Sequence, residues 1–316
     1  MRVGLMIEGQ EGVTWDQWLA LAEACEETGI EALFRSDHYM GIGDPTRGSL
    51  DAWTTLAGLA ARTTKLRFGT MVSPATFRHP SVLAKSAATV DHISGGRVEV
   101  GIGAGWYERE HETYGFEFPS LRTRMERFAE QVEIVHRQWT EESVDFQGKH
   151  YQLRGPALPK PVQKPRPPII VGGGAKPGTL TPAVRFANEY DSPGATLEQC
   201  RERREAIDRA CEKGGRDPAT LPFSIMTGVI VGADEGEVRE RARRLMQRSR
   251  NAGDDLDAFL AARKERGVVG TVSQAIERIQ ALEEAGVSRV FLQHLLHQDV
   301  DMVRLIGKEI VPAVTK

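Results

Sequence analysis

GGRVEVGIGAGWY, residues 95–107, is the stretch whose reading decides the fold. Val98, Val100 and Ile102 make a short apolar run that ends in three alternating glycines, Gly101, Gly103 and Gly105, and then two aromatics. A run this short and this rich in branched residues reads as a strand buried on both faces. The glycines read as a turn where something planar or anionic lies against bare backbone, with a helix beyond. The spacing is not the dinucleotide fingerprint, because GxGxG lacks its final offset and falls about 100 residues into the chain.

Outward from this stretch, strand and helix signals alternate. Towards the N-terminus, Val3–Ile7, Ile30–Phe34 and Leu66–Val72 read as strands. Between them lie a helix capped at Thr14 and stopped at Gly29, the helix Leu50–Arg62, and Ser81–Ile93 after Pro80. Arg97–Gly103 is the fourth strand, and Leu121–Thr140 a long amphipathic helix. Tyr151–Pro168 carries six prolines (156, 159, 161, 165, 167 and 168) and reads as an extended connector. Strands five to eight are Ile169–Val171, Glu189–Ser192, Phe223–Val231 and Arg289–His294. The helices among them are Thr181–Asn188, Leu197–Lys213, Glu235–Ser249 and Val272–Ala285, with a terminal helix last. Asn251–Val269 is polar and reads as an excursion over the mouth of the fold.

Eight strand–helix units predict an α/β fold, a (β/α)8 TIM barrel with insertions, as one domain over residues 1–316. A doubly wound open sheet is the alternative. It places its glycine-rich loop after the first strand, where this chain offers only Glu8-Gly9-Gln10.

The formal net charge of −3 and 40% hydrophobic content describe a globular chain with no basic footprint for nucleic acid. No apolar run reaches the roughly 20 residues of a membrane span. Met1-Arg2 leads straight into VGLMI, too short for a signal peptide, so a cytoplasmic location is expected. Cys25, Cys200 and Cys211 form no CxxC pair and read as small buried thiols.

In a barrel, chemistry collects at the C-terminal ends of the strands. Those ends are Glu8, Ser36–Tyr39, Met71–Ser73, Gly103–Tyr107, Gly172–Gly174, Asp191-Ser192 and Gln293-His294. Asp37-His38 is the sharpest pair, since a histidine beside a carboxylate can exchange a proton near neutral pH; the bland reading is that His38 caps a loop and Asp37 pairs with Arg35. Gly172, Gly173 and Gly174 sit at a strand-to-helix turn whose free amides suit a phosphate, although a tight turn needs them too. Arg78 and His79 either reach a phosphate or begin a helix. The remaining histidines show no metal-ligand spacing, so no catalytic metal is expected.

With these residues assembled, the chain resembles the luciferase-like monooxygenase superfamily. The matching blocks are RSDHY (35–39), GTMVSPATFRHP (69–80), SGGRVEVGIGAGWYEREHETYG (94–115), PPIIVGGG (167–174) with RFANEYD (185–191), and GTVSQAIERIQALEEAGVSRVFLQH (270–294). The resemblance implies a (β/α)8 barrel using coenzyme F420 or FMN, and it is strongest to the F420-dependent branch. It implies that Asp37 and His38 sit against the deazaflavin ring as catalytic residues. It places a bulge with a non-prolyl cis peptide at Met71-Val72, and lays Gly103, Ala104, Gly105 and Trp106 along the cofactor. Gly172, Gly173 and Gly174 would hold its phosphate.

One departure is informative. The dehydrogenases of this branch carry a glutamate acid in the turn after strand four, where Trp106 stands here. Reduction of an activated C=C, C=N or nitro group therefore fits better than alcohol oxidation, on a small planar substrate stacked by Trp106 and Tyr107. The rivals are an FMN-dependent two-component monooxygenase, a non-catalytic flavin-binding protein, and a cofactor-free isomerase using Glu8 and His38. Substrate contacts are expected from Gly41–Ser49 and Asn251–Val269. A homodimer is expected, with no nucleic-acid or membrane partner.

Overall fold

The computed structural model describes residues 1–248 and 253–315. Its strands follow the apolar runs: β1 (Arg2–Ile7), β2 (Ala32–Arg35), β3 (Arg67–Pro74) and β4 (Val98–Gly103) come first. After a side hairpin of β5 (Val144–Gln147) and β6 (Gln152–Gly155) come β7 (Ile169–Gly172), β8 (Glu189–Pro193), β9 (Phe223–Gly232), β10 (Val268–Thr271) and β11 (Arg289–Gln293). In parallel register β1 pairs with β2, then β3, β4, β7, β8, β9 and β11 follow, and β11 returns to β1. Eight strands thus close on themselves, and the (β/α)8 barrel expected from the sequence is the observed fold.

The outer layer consists of α1 (Trp15–Thr28), α2 (Ala52–Arg62), α3 (Pro80–Ser94), α4 (Glu108–Tyr114), α5 (Leu121–Thr140) and α6 (Pro177–Phe186). It continues with α7 (Leu197–Lys213), α8 (Glu235–Arg248), α9 (Leu256–Lys264), α10 (Val272–Glu284), α11 (Val300–Leu305) and, after a π turn, α12 (Val311–Val314). Thr14, Thr196 and Thr271 each begin a helix with a reciprocal cap to a glutamine three residues on. Gly29, at φ 78°, ends α1 in the left-handed conformation that glycine adopts without a Cβ clash.

The barrel's own interior is a plug of Met6, Ala32, Phe34, Met71, Ile170 and Phe291. Beneath it, at the N-terminal ends of the strands, Arg289 is completely buried among acids: Glu99 at 2.7 Å, Glu31 at 2.8 Å and Glu189 at 3.4 Å. The plug and this charged floor close the barrel from below, which leaves the C-terminal rim as the place for a ligand.

Three stretches differ from the sequence reading. Tyr151–Pro168 is not all connector, because Gln152–Gly155 pairs antiparallel with Val144–Gln147. The helix expected over Thr181–Asn188 runs from Pro177 to Phe186. Proline takes its first position, where no amide partner is needed, and Pro182 falls inside it. The polar excursion after residue 250 folds into α9, which buries Phe259 and Leu260, and then β10, which adds to the far half of β9 at Val229–Gly232. The predicted helix end at Ser249 and the start of that excursion at Asn251 lie outside the described residues. All three cysteines are buried and free.

Candidate active site

The strand ends surround a cavity of about 700 Å³. His38 enters it from beyond β2, and Met71 and Val72 from β3. Gly103, Ala104, Gly105 and Trp106 line it after β4, and Gly172, Gly173 and Gly174 after β7. The Met71–Val72 peptide is cis, and the register of β3 against β4 slips between Thr70 and Ser73. Val72 lies against the glycines. A Cβ on Gly103 would come within 2.4 Å of Val72 Cγ2, and one on Gly172 within 2.8 Å of Val72 Cγ1. The alternating glycines of the GIGAG stretch therefore have a packing reason, which is to admit the β3 bulge. Gly105, at φ 81°, makes the turn that brings Trp106 to the rim.

At the glycine-rich turn, the expectation of three free amides is corrected. The Gly173 amide donates to the Asp191 carbonyl at 2.9 Å, and the Ala175 amide donates to the Tyr190 hydroxyl at 2.9 Å. The Gly174 amide has no partner among the described residues, and a Cβ there would meet nothing within 4 Å. Beside it, Lys176 precedes α6 as its N-cap residue and gives it no side-chain cap. An anion can thus be held by the Gly174 amide, the exposed Lys176 and the uncapped first turn of α6.

At the other end, His38 Nδ1 is 2.8 Å from Glu110 Oε2. The Glu110 carboxylate is fully buried, and its second oxygen accepts from the backbone amides of Tyr39 and Met40. Because a carboxylate only accepts, Nδ1 carries the hydrogen, and Nε2, with no partner among the described residues, is left for the cavity. Burial opposes charge on His38, but the hydrogen bond and charge of Glu110, helped by Glu8 and Asp37, outweigh it and raise the imidazole pKa above its ordinary value. The stabilisation from this pair is then fully present below the unfolded-state value and is lost as pH rises through the raised one. Glu110→Gln removes the compensating charge and leaves the burial, so the His38 pKa is expected to fall below the free-histidine value. Titration of its imidazole proton resonances checks this, and an unchanged pKa would refute the pairing.

Asp37 is placed otherwise than expected. It does not line the cavity. Its Oδ2 accepts from Ser73 Oγ and from Arg78 Nη1, each at 2.6 Å, and its side chain is 1% exposed. Its partner is Arg78, not Arg35. Arg78 also donates to Asp51 Oδ2 at 2.9 Å and to the Tyr39 hydroxyl at 3.0 Å, so this network fixes the loop that carries His38. Arg35 is buried instead against backbone carbonyls and Thr55, and burial, outweighing the charges of Asp37 and Asp51, lowers its pKa to about 10. His79 caps α3 through Nδ1 and does begin a helix.

Glu8 lines the same cavity and accepts from the side-chain amides of Gln10, at 2.8 Å, and Gln293, at 2.5 Å. Trp106 stacks on Tyr107 with centroids 5.3 Å apart, and both stand edge-on to His38. Asp191 is a buried carboxyl of the wall; burial first, and then the charge of Glu189, push its pKa well above the usual range. Glu110 was the residue missed by sequence reasoning. It lies in the EREHE run of α4, whose charges look like a solvated face. Only closure of the barrel brings it to His38, 72 positions away in sequence. Among the described residues no group of three or more His, Cys, Asp or Glu side chains is arranged to hold a metal. Nor, among them, is any helix long and apolar enough to cross a membrane.

Comparison with known proteins fits this geometry. An F420-dependent glucose-6-phosphate dehydrogenase of Microbacterium testaceum (strain StLB037) is 27% identical over 309 residues, covering 92% of this chain and 91% of that protein. Three more relatives named as F420-dependent dehydrogenases align over only 65%, 46% and 66% of their own lengths. The FMNH(2)-dependent dimethylsulfone monooxygenase of Pseudomonas putida is 26% identical, over 93% of this chain and 86% of its own. Among solved structures, an F420-dependent secondary alcohol dehydrogenase in complex with an F420–acetone adduct superposes with a TM-score of 0.82 over 100% of this chain and 99% of that one. At 22% identity this is a likeness of fold. The family described as luciferase-like monooxygenase matches residues 1–289, and the chain belongs to that family.

Proposed function

We propose that the chain is a coenzyme F420-dependent oxidoreductase that reduces an activated C=C, C=N or nitro group of a small organic molecule. The observation that carries this reading is the His38–Glu110 pair, whose one free imidazole nitrogen faces a cavity backed by the Val72 bulge. The residues present fit the cofactor. The glycine-backed slot suits a flat ring system, and the Gly174 and Lys176 turn suits a phosphate. When bound and reduced, the deazaflavin supplies a hydride. His38 holds a proton at Nε2 for the substrate, and Glu110 keeps the ring oriented and favours its protonated form. Trp106 and Tyr107 stand at the mouth, where their stacked rings would bind a planar substrate. The F420-dependent relatives support the choice of cofactor.

The second reading, an FMN-dependent monooxygenase, is favoured by the Pseudomonas putida relative. Anaerobic turnover separates them. Reduced F420 is expected to be oxidised by an α,β-unsaturated or nitroaromatic acceptor without oxygen, whereas consumption of oxygen with reduced FMN would transfer the assignment. A second copy of the chain as partner rests on the family resemblance, and light scattering checks it.

Gly174→Asp is the clean test of the phosphate end. The site has open space for a side chain and an ordinary backbone conformation, whereas a Cβ on Gly173 would come within 2.9 Å of Thr179 and the Tyr190 hydroxyl. The added carboxylate is expected to weaken F420 binding at least about tenfold by like-charge repulsion, with little change in melting temperature. Unchanged binding would place the phosphate elsewhere.

A further inference from the structure

We propose that the barrel mouth holds a second compartment that binds the anionic group of an amphipathic substrate, with Arg263 and Arg248 as its cationic end. This deepens the oxidoreductase reading and rests on it for the word substrate.

A cavity of about 730 Å³ adjoins the first, sharing Glu8, Ile42 and Gln293 with it. Ile42, Leu245, Phe259 and Leu295 give it an apolar wall, and Arg47, Arg248 and Arg263 give it positive charge against the two acids Glu8 and Glu11. The three arginines are not equivalent. Arg47 is spent, because it pairs with Glu11 and approaches Asp44 at 3.7 Å. Among the described residues the Arg248 side chain makes one weak hydrogen bond, 3.5 Å to the Glu11 carbonyl, and no ion pair, although the Glu11 carboxylate is near enough for its charge to be felt. Arg263 lies 4.3 Å over the ring of Phe259, its Nε is buried without an acceptor, and no acid among the described residues pairs with it. An Nε–H withdrawn from water with no acceptor is costly, and an incoming carboxylate or phosphate would relieve that cost in forked geometry with the half-buried guanidinium.

Position separates this compartment from the phosphate end of the cofactor cavity. In the ring of eight strands, β7, which leads into Gly174, stands diametrically opposite β1, which leads into Glu8. Arg263 belongs to α9, between β9 and β10, on the Glu8 side. A molecule with its reacting group near His38 and an apolar body along Ile42 and Leu295 would present its far end to Arg263 and Arg248.

The test is calorimetric titration of the full chain with 3-phenylpropanoate, phenyl phosphate and the neutral 3-phenylpropanamide, beside a titration with F420. Wild type is expected to bind one of the anions at least about tenfold tighter than the amide, in a salt-sensitive manner. The tighter anion identifies carboxylate or phosphate as the group. Arg263→Gln and Arg248→Gln should each reduce that preference, and the double variant should abolish it with F420 affinity unchanged. Arg263→Lys, which keeps the charge but not the fork, should retain part of it. No anion preference in wild type would overturn the proposal. So would parallel loss of F420 affinity in the double variant, since the arginines would then hold the cofactor. Anion preference without F420 binding would sink the cofactor reading and leave the compartment standing.

Discussion

Replacing His38 by alanine is expected to lower kcat by about 10²–10⁴-fold at neutral pH while leaving F420 affinity within a few-fold. Loss of a positioned proton donor acts on the reacting complex, whereas cofactor binding is distributed over the glycine turns, the Val72 wall and the phosphate end. The wild-type rate should decline as pH rises above the raised His38 pKa, because only the protonated ring donates from Nε2. The variant should lose that limb. A small loss in kcat with an unaltered pH profile would make His38 a wall residue and move the proton to Glu8 or Asp191.

The largest effect on stability is expected at the barrel floor. Arg289→Ala leaves the buried Glu99 with Arg67 alone and Glu189 with only Arg2 at 3.4 Å, and it also empties the space beside Phe291, 4.3 Å from the guanidinium. Removing one partner of a buried ion cluster costs about 3–5 kcal/mol, which for a chain of this size is a fall in Tm of roughly 10 °C. Glu99→Gln added to Arg289→Ala should recover part of the loss, because one under-compensated buried charge is gone. The pH dependence has a definite sign. Burial opposes charge on Glu99, but Arg289 and Arg67 override it and hold its pKa down to about 2, against an ordinary 4.5. Its contribution is therefore complete above 4.5 and is lost as pH falls towards 2. Glu189 runs the other way, since burial and the charge of Glu99 raise it in spite of Arg289. Arg289→Ala should flatten the acid limb of the wild-type stability curve, and thermal melts across pH read this directly. An Arg289→Ala protein melting like wild type would refute the floor as a stabilising element.

Much of this was legible in the sequence, for local reasons. The parallel strands are buried on both faces, so they stand out as apolar runs, and the glycine punctuation marks their ends. His38, Trp106 and the glycine turns were readable because barrel geometry puts strand ends in one place. What failed was pairing across the chain. Asp37 looked catalytic beside His38, yet successive residues point in different directions, and its carboxylate turns into the wall towards Arg78. Glu110 was hidden in a charged helical run because its burial depends on Tyr39 and Met40 arriving from another unit. α9 was missed because nine residues leave too little periodicity to separate a helix from a polar loop. The hairpin of β5 and β6 was masked by the prolines that follow it.

The most direct test is a titration of the purified chain with F420 and with FMN, read by tryptophan fluorescence, for wild type and Gly174→Asp. F420 binding in the micromolar range or tighter, much weaker FMN binding, and loss of F420 affinity in Gly174→Asp is the predicted result. Tight FMN binding with none of F420 would contradict it.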